Sequence, residues 1–508
     1  MFQANGFNFL DEALEKYTDK DGTVNWRGLV DEMKAIGSMF AGKEMGHGPK
    51  SHAMEEMMKK MAQEQSQEVN WRANIGKDPI KEAFTEKKFA HAGGDTQMIP
   101  PPVVPMAADL LANTQRTTRS AAYINVPFCQ TRCAFCMFYI APYSKEESKR
   151  YTDSLIKELH LWENKKAQTG KPIHAVYLGG GTPTALEAED LERILKTCKQ
   201  VLPLANDCEI TVEGRLSYFG NDKIEACLRG GANRFSLGVQ TFDTAIRQSV
   251  GRLSTKEELI AALNNLTSYD EAAVVIDLIF GLPGQTMQTW QEDLNIVSTL
   301  PIHGVDLYQL ILLEGSPLQK LIKAGKYQHA PDNLERADMY RVGVRAMEAF
   351  HWKQLSVSHF ARNTRERNLY NVLAKSDADT LAFGPGAGGK IQGVSFMNNR
   401  KYEEYMKKLE ANVKPVAMMF VPGADWRLYK DIGEELELSF LDFEYLKKRH
   451  NVDVLEEAKE VLEQWQEAGL IRLNGRFADL TLAGRYWAVT MTQLLTNYLQ
   501  QKLKQKNS

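Results

Sequence analysis

The chain has 508 residues, 43% of them apolar and 25% charged, with 62 Lys+Arg against 65 Asp+Glu. That balance marks a soluble globular protein of roughly two to four domains and excludes disordered and fibrous classes. A formal charge of −3 offers neither a basic face for nucleic acid nor an acidic tail. No apolar run approaches the roughly 18 residues that cross a bilayer, and residues 1–9 lack the layout of a secretory signal. Neither membrane insertion nor export is expected, and the cytoplasm is the expected location. Three of the six cysteines lie within eight residues, Cys129, Cys133 and Cys136. Such crowding suggests metal binding in a reducing compartment. Cys198, Cys208 and Cys227 are scattered singly, as buried small apolar residues are.

In chain order, residues 1–75 predict a helical N-terminal extension. Met54, Met57, Met58 and Met61 form one stripe of a helix over 51–67, with His47 and His52 nearby. Residues 76–120 form a lead-in, and the prolines at 100, 101, 102 and 105 predict an extended connector over 94–105. From 121 onward, short β-rich runs (121–126, 175–178, 209–212, 234–237, 274–279, 304–309) alternate with helical patterns over 145–168, 187–201, 256–266 and 286–300. Six strand–helix units in series predict a parallel sheet. The expected fold is α/β, a partial (β/α)6 barrel over 121–325 completed on the substrate side by 326–400. Residues 401–508 predict a mostly helical C-terminal domain: helices over 401–412, 441–449 and 454–468, a small hairpin turning at Asn474–Gly475, and a last helix over 482–502.

The cysteine run reads Tyr123-Ile-Asn-Val-Pro-Phe-Cys129-Gln-Thr-Arg-Cys133-Ala-Phe-Cys136. Three thiolates at C-x3-C-x2-C can hold three irons of a [4Fe–4S] cluster and leave the fourth open. Structural zinc is the alternative, but it wants a fourth protein ligand, and position 138 is Phe. Gly179-Gly-Gly-Thr182-Pro183 follows the second strand, where backbone amides can approach a polar ligand. Glu213 ends the third strand, Gln240 follows the fourth, Arg252 lies in the next helix–loop region and Asp277 is inside the fifth. Together they set polar groups at one end of consecutive parallel strands, the end where barrels carry chemistry.

With Ser236-Leu-Gly-Val-Gln240-Thr-Phe and Ile276-Asp-Leu-Ile-Phe-Gly-Leu-Pro283, these motifs resemble the radical S-adenosylmethionine (SAM) enzymes, in the branch of the oxygen-independent coproporphyrinogen III oxidases. The resemblance runs from about 121 to 321 and more weakly to the C-terminus. It implies that Cys129, Cys133 and Cys136 hold a [4Fe–4S] cluster whose open iron takes the amino and carboxylate groups of SAM. Tyr123 and Phe135 would pack around cluster and cofactor, and Gly180, Gly181 and Thr182 would meet the methionine end. Glu213, Gln240, Arg252 and Asp277 would hold its amino-acid and ribose groups. A second SAM is implied near Tyr308-Gln309-Leu310, with Leu310 as a contact. A later loop, Phe383-Gly-Pro-Gly-Ala-Gly-Gly389, turns its backbone against a ligand or a helix, or is a plain connection.

Coproporphyrinogen oxidases carry a further cysteine where this chain has Phe138. The Cys-x-Phe-Tyr run, a lead-in with Ala83, Phe84, Lys87, His91 and Ala92, and Gly484-Arg-Tyr-Trp487 are more similar to the anaerobic haem-degrading methyltransferases, the anaerobilin synthases. That likeness implies a first SAM cleaved to a 5′-deoxyadenosyl radical, a second SAM whose methyl group loses hydrogen, and a methylene radical that adds to a meso carbon of haem. The ring then opens and iron is freed. A flavodoxin-like electron donor is implied; nucleic acid is not expected as a partner. His351 and His359 are candidate haem ligands, and Arg362, Arg365 and Arg367 candidate propionate partners. The alternatives are a coproporphyrinogen oxidase, another methyltransferase of the branch, or a haem chaperone without turnover.

Overall fold

The computed structural model describes residues 12, 14–40, 70–87, 96–136, 138–312, 316–327 and 330–507. The methionine stripe over 51–67, His47, His52, His91 and Ala92 lie outside them. Parallel strands form the centre: β1 (Ser120–Val126), β2 (Ile173–Gly180), β3 (Leu204–Gly214), β4 (Arg234–Gln240), β5 (Ala273–Phe280), β6 (Gly304–Gln309) and β7 (Asp379–Phe383). They stand in the order β7-β1-β2-β3-β4-β5-β6, each parallel to its neighbour. The first six are the strands expected from the alternation. They read as near-continuous apolar runs because a parallel sheet is covered on both faces; in β5, Ala-Val-Val-Ile-Asp-Leu-Ile-Phe, only Asp277 and Ile279 are not fully buried.

Helices α1 (Lys145–Leu161), α2 (Ala188–Val201), α3 (Asn221–Gly230), α4 (Lys256–Ser268), α5 (Met287–Thr299) and α6 (Asn333–Ala349) make the crossovers. In α2, Leu191, Ile194, Leu195, Cys198 and Val201 are buried, spacings that draw one stripe along a helix. Each buried aliphatic side chain contributes about 1.5–3 kcal/mol. Local signals set the helix starts: Ser144 accepts from the N–H of Glu147 ahead of α1, and Thr255 with Glu258 forms a reciprocal capping box before α4.

The sheet continues beyond what periodicity predicted. His359–Ala361 adds antiparallel to β6. On the other side β7 is followed by Gly388–Ile391, Val394–Asn398 and Val416–Pro422, and Thr96–Met98 closes that edge. β7 is five residues long and runs into a glycine-rich loop, so it offers too few positions for a period to emerge. The connector over 94–105 is not simply extended. After its strand, Pro101–Val103 is a 3-10 turn and Val104–Ala112 a helix, since proline is tolerated in a first helical turn.

Near the C-terminus, the helix expected over 441–449 begins at Phe443, capped by Asp442, after the strand Phe440–Asp442. The hairpin of Ile471–Leu473 and Phe477–Leu480 pairs with that strand. The last helix, α7, covers Leu482–Asn507. Among the described residues no helix is long and apolar enough to cross a membrane.

Candidate active site

Because β1–β7 run parallel, Val126, Gly180, Gly214, Gln240, Phe280, Gln309 and Phe383 end on one rim. The cysteine loop leaves β1 there. Phe128–Cys129 pairs with Ala141–Pro142, and the N–H of Ala134 donates to Val250 O at 3.1 Å, so the loop is held by its own backbone. Each sulfur has a donor. Thr182 Oγ1 lies 3.4 Å from Cys129 Sγ, Arg215 Nη2 3.2 Å from Cys133 Sγ, and the N–H of Phe138 3.3 Å from Cys136 Sγ. Burial raises the Cys129 thiol, with Cys133 and Cys136 adding to the rise, while Thr182 and Arg215 oppose it. Among the described residues no three His, Cys, Asp or Glu side chains form a group placed to hold a single metal ion.

Behind the loop lies a layer of buried charge. A side chain at Gly180 (φ +103°) would bring its Cβ to 2.2 Å from Asn125 Oδ1; glycine permits both that approach and the left-handed backbone. Burial, with Asp277 nearby, pushes Glu213 up to about 8 against the pull of the Gly180 N–H, Arg252 and Tyr177. Burial and Asp306 push Asp277 up to about 7, opposed by Arg234, His359 and Arg252. Arg252 donates through Nη1 to Gly238 O at 2.9 Å, and its buried Nε has no partner. Gln240, at φ +72°, sits with Arg252 around Gly238: a Cβ there would be 2.5 Å from Gln240 Nε2 and 3.3 Å from Arg252 Nη2. These are costly arrangements to keep without a ligand, because buried carboxylates and an unpaired guanidinium nitrogen have lost their water.

Tyr123 stacks with Tyr177 and Tyr370, ring centres 6.3 and 6.1 Å away, and donates to Asn125 Oδ1 at 3.0 Å. Asn125 Nδ2 in turn donates to Pro385 O at 2.6 Å. The glycine-rich loop after β7 therefore packs its backbone on the end of β1, beside Gly180. Phe135 and Leu310 share an apolar cluster with Ile246, Leu282 and Leu318, and the Arg252 guanidinium carbon is 5.9 Å from the Phe135 ring. Eight of the ten expected cofactor residues, Phe135, Gly180, Gly181, Thr182, Glu213, Gln240, Arg252 and Leu310, lie at strand ends or in the loops that follow them, while Tyr123 and Asp277 sit three residues back, inside β1 and β5. Asn125, Arg215 and Tyr177 were not singled out in the sequence. A polar Asn in an apolar strand and an Arg two residues after Glu213 were the available signals.

The histidine and arginine candidates for haem are a correction. His359 is fully buried, with Nδ1 2.8 Å from Asp306 Oδ2 and Nε2 3.1 Å from Glu366 Oε1, so neither ring nitrogen is available to iron. His351 is exposed in the turn after α6. Arg362 donates to Leu300 O, Arg365 pairs with Asp270 and Arg367 with Asp207. Those partners precede β6, precede β5 and open β3, so the arginines stand at the strand end opposite the cysteines.

The sequence profile of the Radical SAM superfamily matches residues 123–297. Anaerobilin synthase of Escherichia coli O157:H7 is 42% identical over 395 residues, 77% of this chain and 87% of that one. The heme chaperone HemW of Bacillus subtilis (strain 168) is 29% identical over 288 residues, 56% of this chain and 75% of that one. Among solved structures, coproporphyrinogen III oxidase (HemN) from Escherichia coli superposes with a TM-score of 0.68 at 21% identity, covering 77% of this chain and 93% of that one; at that identity the likeness concerns the fold.

The superfamily implies a [4Fe–4S] cluster and SAM. The donor set fits: three thiols on one loop, each with a hydrogen-bond donor, need not converge on a point when each takes a different iron. The orphaned Arg252 Nε and the two raised carboxylates are suited to the charged ends of an amino-acid sulfonium. The match to the superfamily profile, the extent of identity to anaerobilin synthase and the shared HemN architecture lead to one conclusion: this chain belongs to the radical SAM superfamily, in the HemN-like branch, and is a radical SAM enzyme.

Proposed function

We propose that the enzyme degrades haem without oxygen: a methyltransferase that uses a [4Fe–4S] cluster and two SAM molecules, adds a methylene group to the porphyrin, opens the ring and releases iron. The observation that carries this reading is the 42% identity to anaerobilin synthase across 87% of that protein. Cys129, Cys133 and Cys136 would each hold one iron. Gly180, Gly181, Thr182, Glu213, Gln240, Arg252 and Asp277 would hold the first SAM, with Tyr123 and Phe135 packed against it. Leu310 would contact the second. When bound and reduced, the cluster supplies the electron that splits the sulfonium of SAM.

The chain's own contribution is binding and exclusion of water. Glu213 and Asp277 can each give up a proton near neutrality and so accept a cationic ligand. Arg252 offers its free Nε to a carboxylate. Gly180 leaves room for backbone contact. A planar apolar substrate is supported by exposed apolar groups at the same rim: Phe138 is 71% exposed, Leu253 60% and Tyr308 38%. Electrons would come from a flavodoxin-like donor.

The test is anaerobic: reconstituted protein, reductant, excess SAM and haem, with haem absorbance and products followed by mass spectrometry. Loss of the haem band with a ring-opened, methylene-augmented tetrapyrrole is expected. Haem that binds and persists with SAM untouched would favour a chaperone. Conversion of coproporphyrinogen in place of haem would favour the oxidase.

A further inference from the structure

Two segments far apart in the chain meet beside the ends of β5 and β6. Lys87 Nζ stands 3.5 Å from the ring centre of Tyr486 and 5.7 Å from that of Trp487. Phe84 meets Trp487 edge-on at 5.4 Å, and Trp487 Nε1 donates to Ile80 O at 3.0 Å. The Tyr486 hydroxyl also lies close to the side chain of Gln309, the last residue of β6. From the other side comes Arg336, in the first turn of α6 and 8% exposed. Its Cγ and Nε are 2.9 Å from where a Cβ on Gly281, the residue after β5, would stand.

The charges here are unbalanced. Burial lowers the Lys87 ammonium well below its usual range, and the neighbouring Arg336 lowers it further. Burial also lowers Arg336, and its Nε has no partner; nor has Gln309 Oε1. Asp332 and Glu335 are near Arg336 in sequence, yet Asp332 Oδ1 caps the N–H groups of Leu334 and Glu335 and Glu335 Oε2 returns to the N–H of Asp332. Among the described residues no carboxylate pairs with either cation. Asp332 and Glu335 act on Arg336 only at a distance; two desolvated like charges with no direct ion-pair partner among the described residues are expensive, and a bound anion relieves both at once.

We infer that Lys87 and Arg336 bind a carboxylate of the tetrapyrrole substrate, a propionate, which rests on the haem reading above. A carboxylate suits the planar guanidinium fork of Arg336 with the point charge of Lys87 beside it. A propionate is favoured over the methionine carboxylate of the first SAM by position, and the second SAM, placed at Leu310, is the competing occupant that the dialysis below separates. The pair lies under α7 at the ends of β5 and β6, next to Gln309 and Gly281, whereas Glu213 ends β3, Arg252 follows β4 and Asp277 is inside β5. A macrocycle lying over the apolar mouth presents its propionates at its edge.

The experiment is an anaerobic absorbance titration of the full-length, cluster-reconstituted chain with haem and with haem dimethyl ester, comparing wild type, Lys87→Met, Arg336→Met and Arg336→Lys. Wild type should prefer haem over the ester by about tenfold or more, the worth of a charge-assisted contact. Lys87→Met and Arg336→Met should each lose most of that preference, and Arg336→Lys should keep part of it. Should Arg336→Met fail to fold, Lys87→Met carries the test. Equal wild-type affinity for both ligands, or variants that keep the preference, would overturn the inference and leave the haem reading standing. Equilibrium dialysis with labelled SAM separates the other source: loss of one bound SAM with the haem preference intact assigns the pair to SAM and overturns the proposal. A wild type that binds neither tetrapyrrole fails the haem reading itself, and the inference with it.

Discussion

Arg215 joins the cysteine loop to the central sheet by placing Nη2 3.2 Å from Cys133 Sγ while Nη1 donates to Thr131 Oγ1 at 2.7 Å and Nη2 to Thr131 O at 3.1 Å. Its own N–H donates to Thr184 Oγ1 at 3.0 Å, so the cluster loop and the turn after β2 are tied to one residue just past β3. Arg215→Met should lower retained iron after reconstitution and gel filtration several-fold and cost about 1–3 kcal/mol of stability. Arg215→Lys should recover only part, because an ammonium cannot reproduce the fork. Unchanged iron content in Arg215→Met would remove this residue from cluster support.

The six cysteines should divide cleanly. Burial pushes the thiols of Cys198, Cys208 and Cys227 up to about 12, which leaves them without thiolate character at neutral pH. Single alanine variants of these three should keep iron and labile sulfide at wild-type levels. Variants of Cys129, Cys133 or Cys136 should lose the brown chromophore. Metal analysis of all six, prepared together, checks the division.

How much of this was readable beforehand follows from the length of each signal. β1–β6 are apolar runs long enough to stand out between the helical stretches, and the cysteine loop and Gly179–Pro183 each lie at the end of such a run, so chemistry and strand end can be read together. Tyr123, Tyr177 and Tyr370 could not: their stacking depends on three separate elements converging. The meeting of Lys87 with Tyr486 is equally hidden, although both segments carry motifs. His359 misled because a lone histidine near arginines carries no local mark of its partners, and Asp306 reaches it only through strand pairing.

Glu158 is a second structural anchor, and it acts on the site from behind. It is fully buried in α1, accepting from Tyr405 Oη at 2.6 Å, the Gly384 N–H at 2.7 Å and Asn398 Nδ2 at 2.9 Å, with Lys414 Nζ at 2.8 Å. A Cβ on Gly384, at φ +90°, would come within 2.3 Å of Asn125 O, so this network presses the glycine-rich loop onto β1 beside Gly180. Glu158→Ala leaves the buried Lys414 ammonium with Ala382 O but no counter-charge and should cost about 3–5 kcal/mol. The Glu158→Ala/Lys414→Met double variant should be less destabilised than the single one, read as denaturation midpoints. Strict additivity would argue against the pair as the source.

Glu213 should make the binding of a cationic sulfonium pH-dependent. With its carboxyl pushed up to about 8, the empty site is mostly protonated at pH 6.5, and a cation must displace that proton. Affinity for SAM, measured by calorimetry on the unreduced protein, should rise by up to about tenfold per pH unit below 8 and level off above it. Glu213→Gln should bind more weakly and lose the slope between pH 7 and 8, keeping below 7 only the share that Asp277 contributes.

The buried row of Arg234, Glu366, His359 and Asp306 predicts a different pH response, in stability rather than binding. Burial works against the His359 cation, but Asp306 and Glu366 raise it from 6.5 to about 9. Burial likewise opposes the Glu366 carboxylate, while Arg234 and His359 bring it down to about 2. A histidine whose folded value is raised stabilises fully below its unfolded value and loses that contribution as pH climbs through 9. The carboxylate stabilises above about 4.5 and loses its share as pH falls toward 2. The melting temperature of the unreduced protein should therefore decline between pH 7 and 10. His359→Gln should be destabilised at pH 6.5 and show a flatter decline over that range. It should also leave the absorbance of bound haem unchanged, because both ring nitrogens already face carboxylates; a shifted haem band in this variant would restore His359 as an iron ligand.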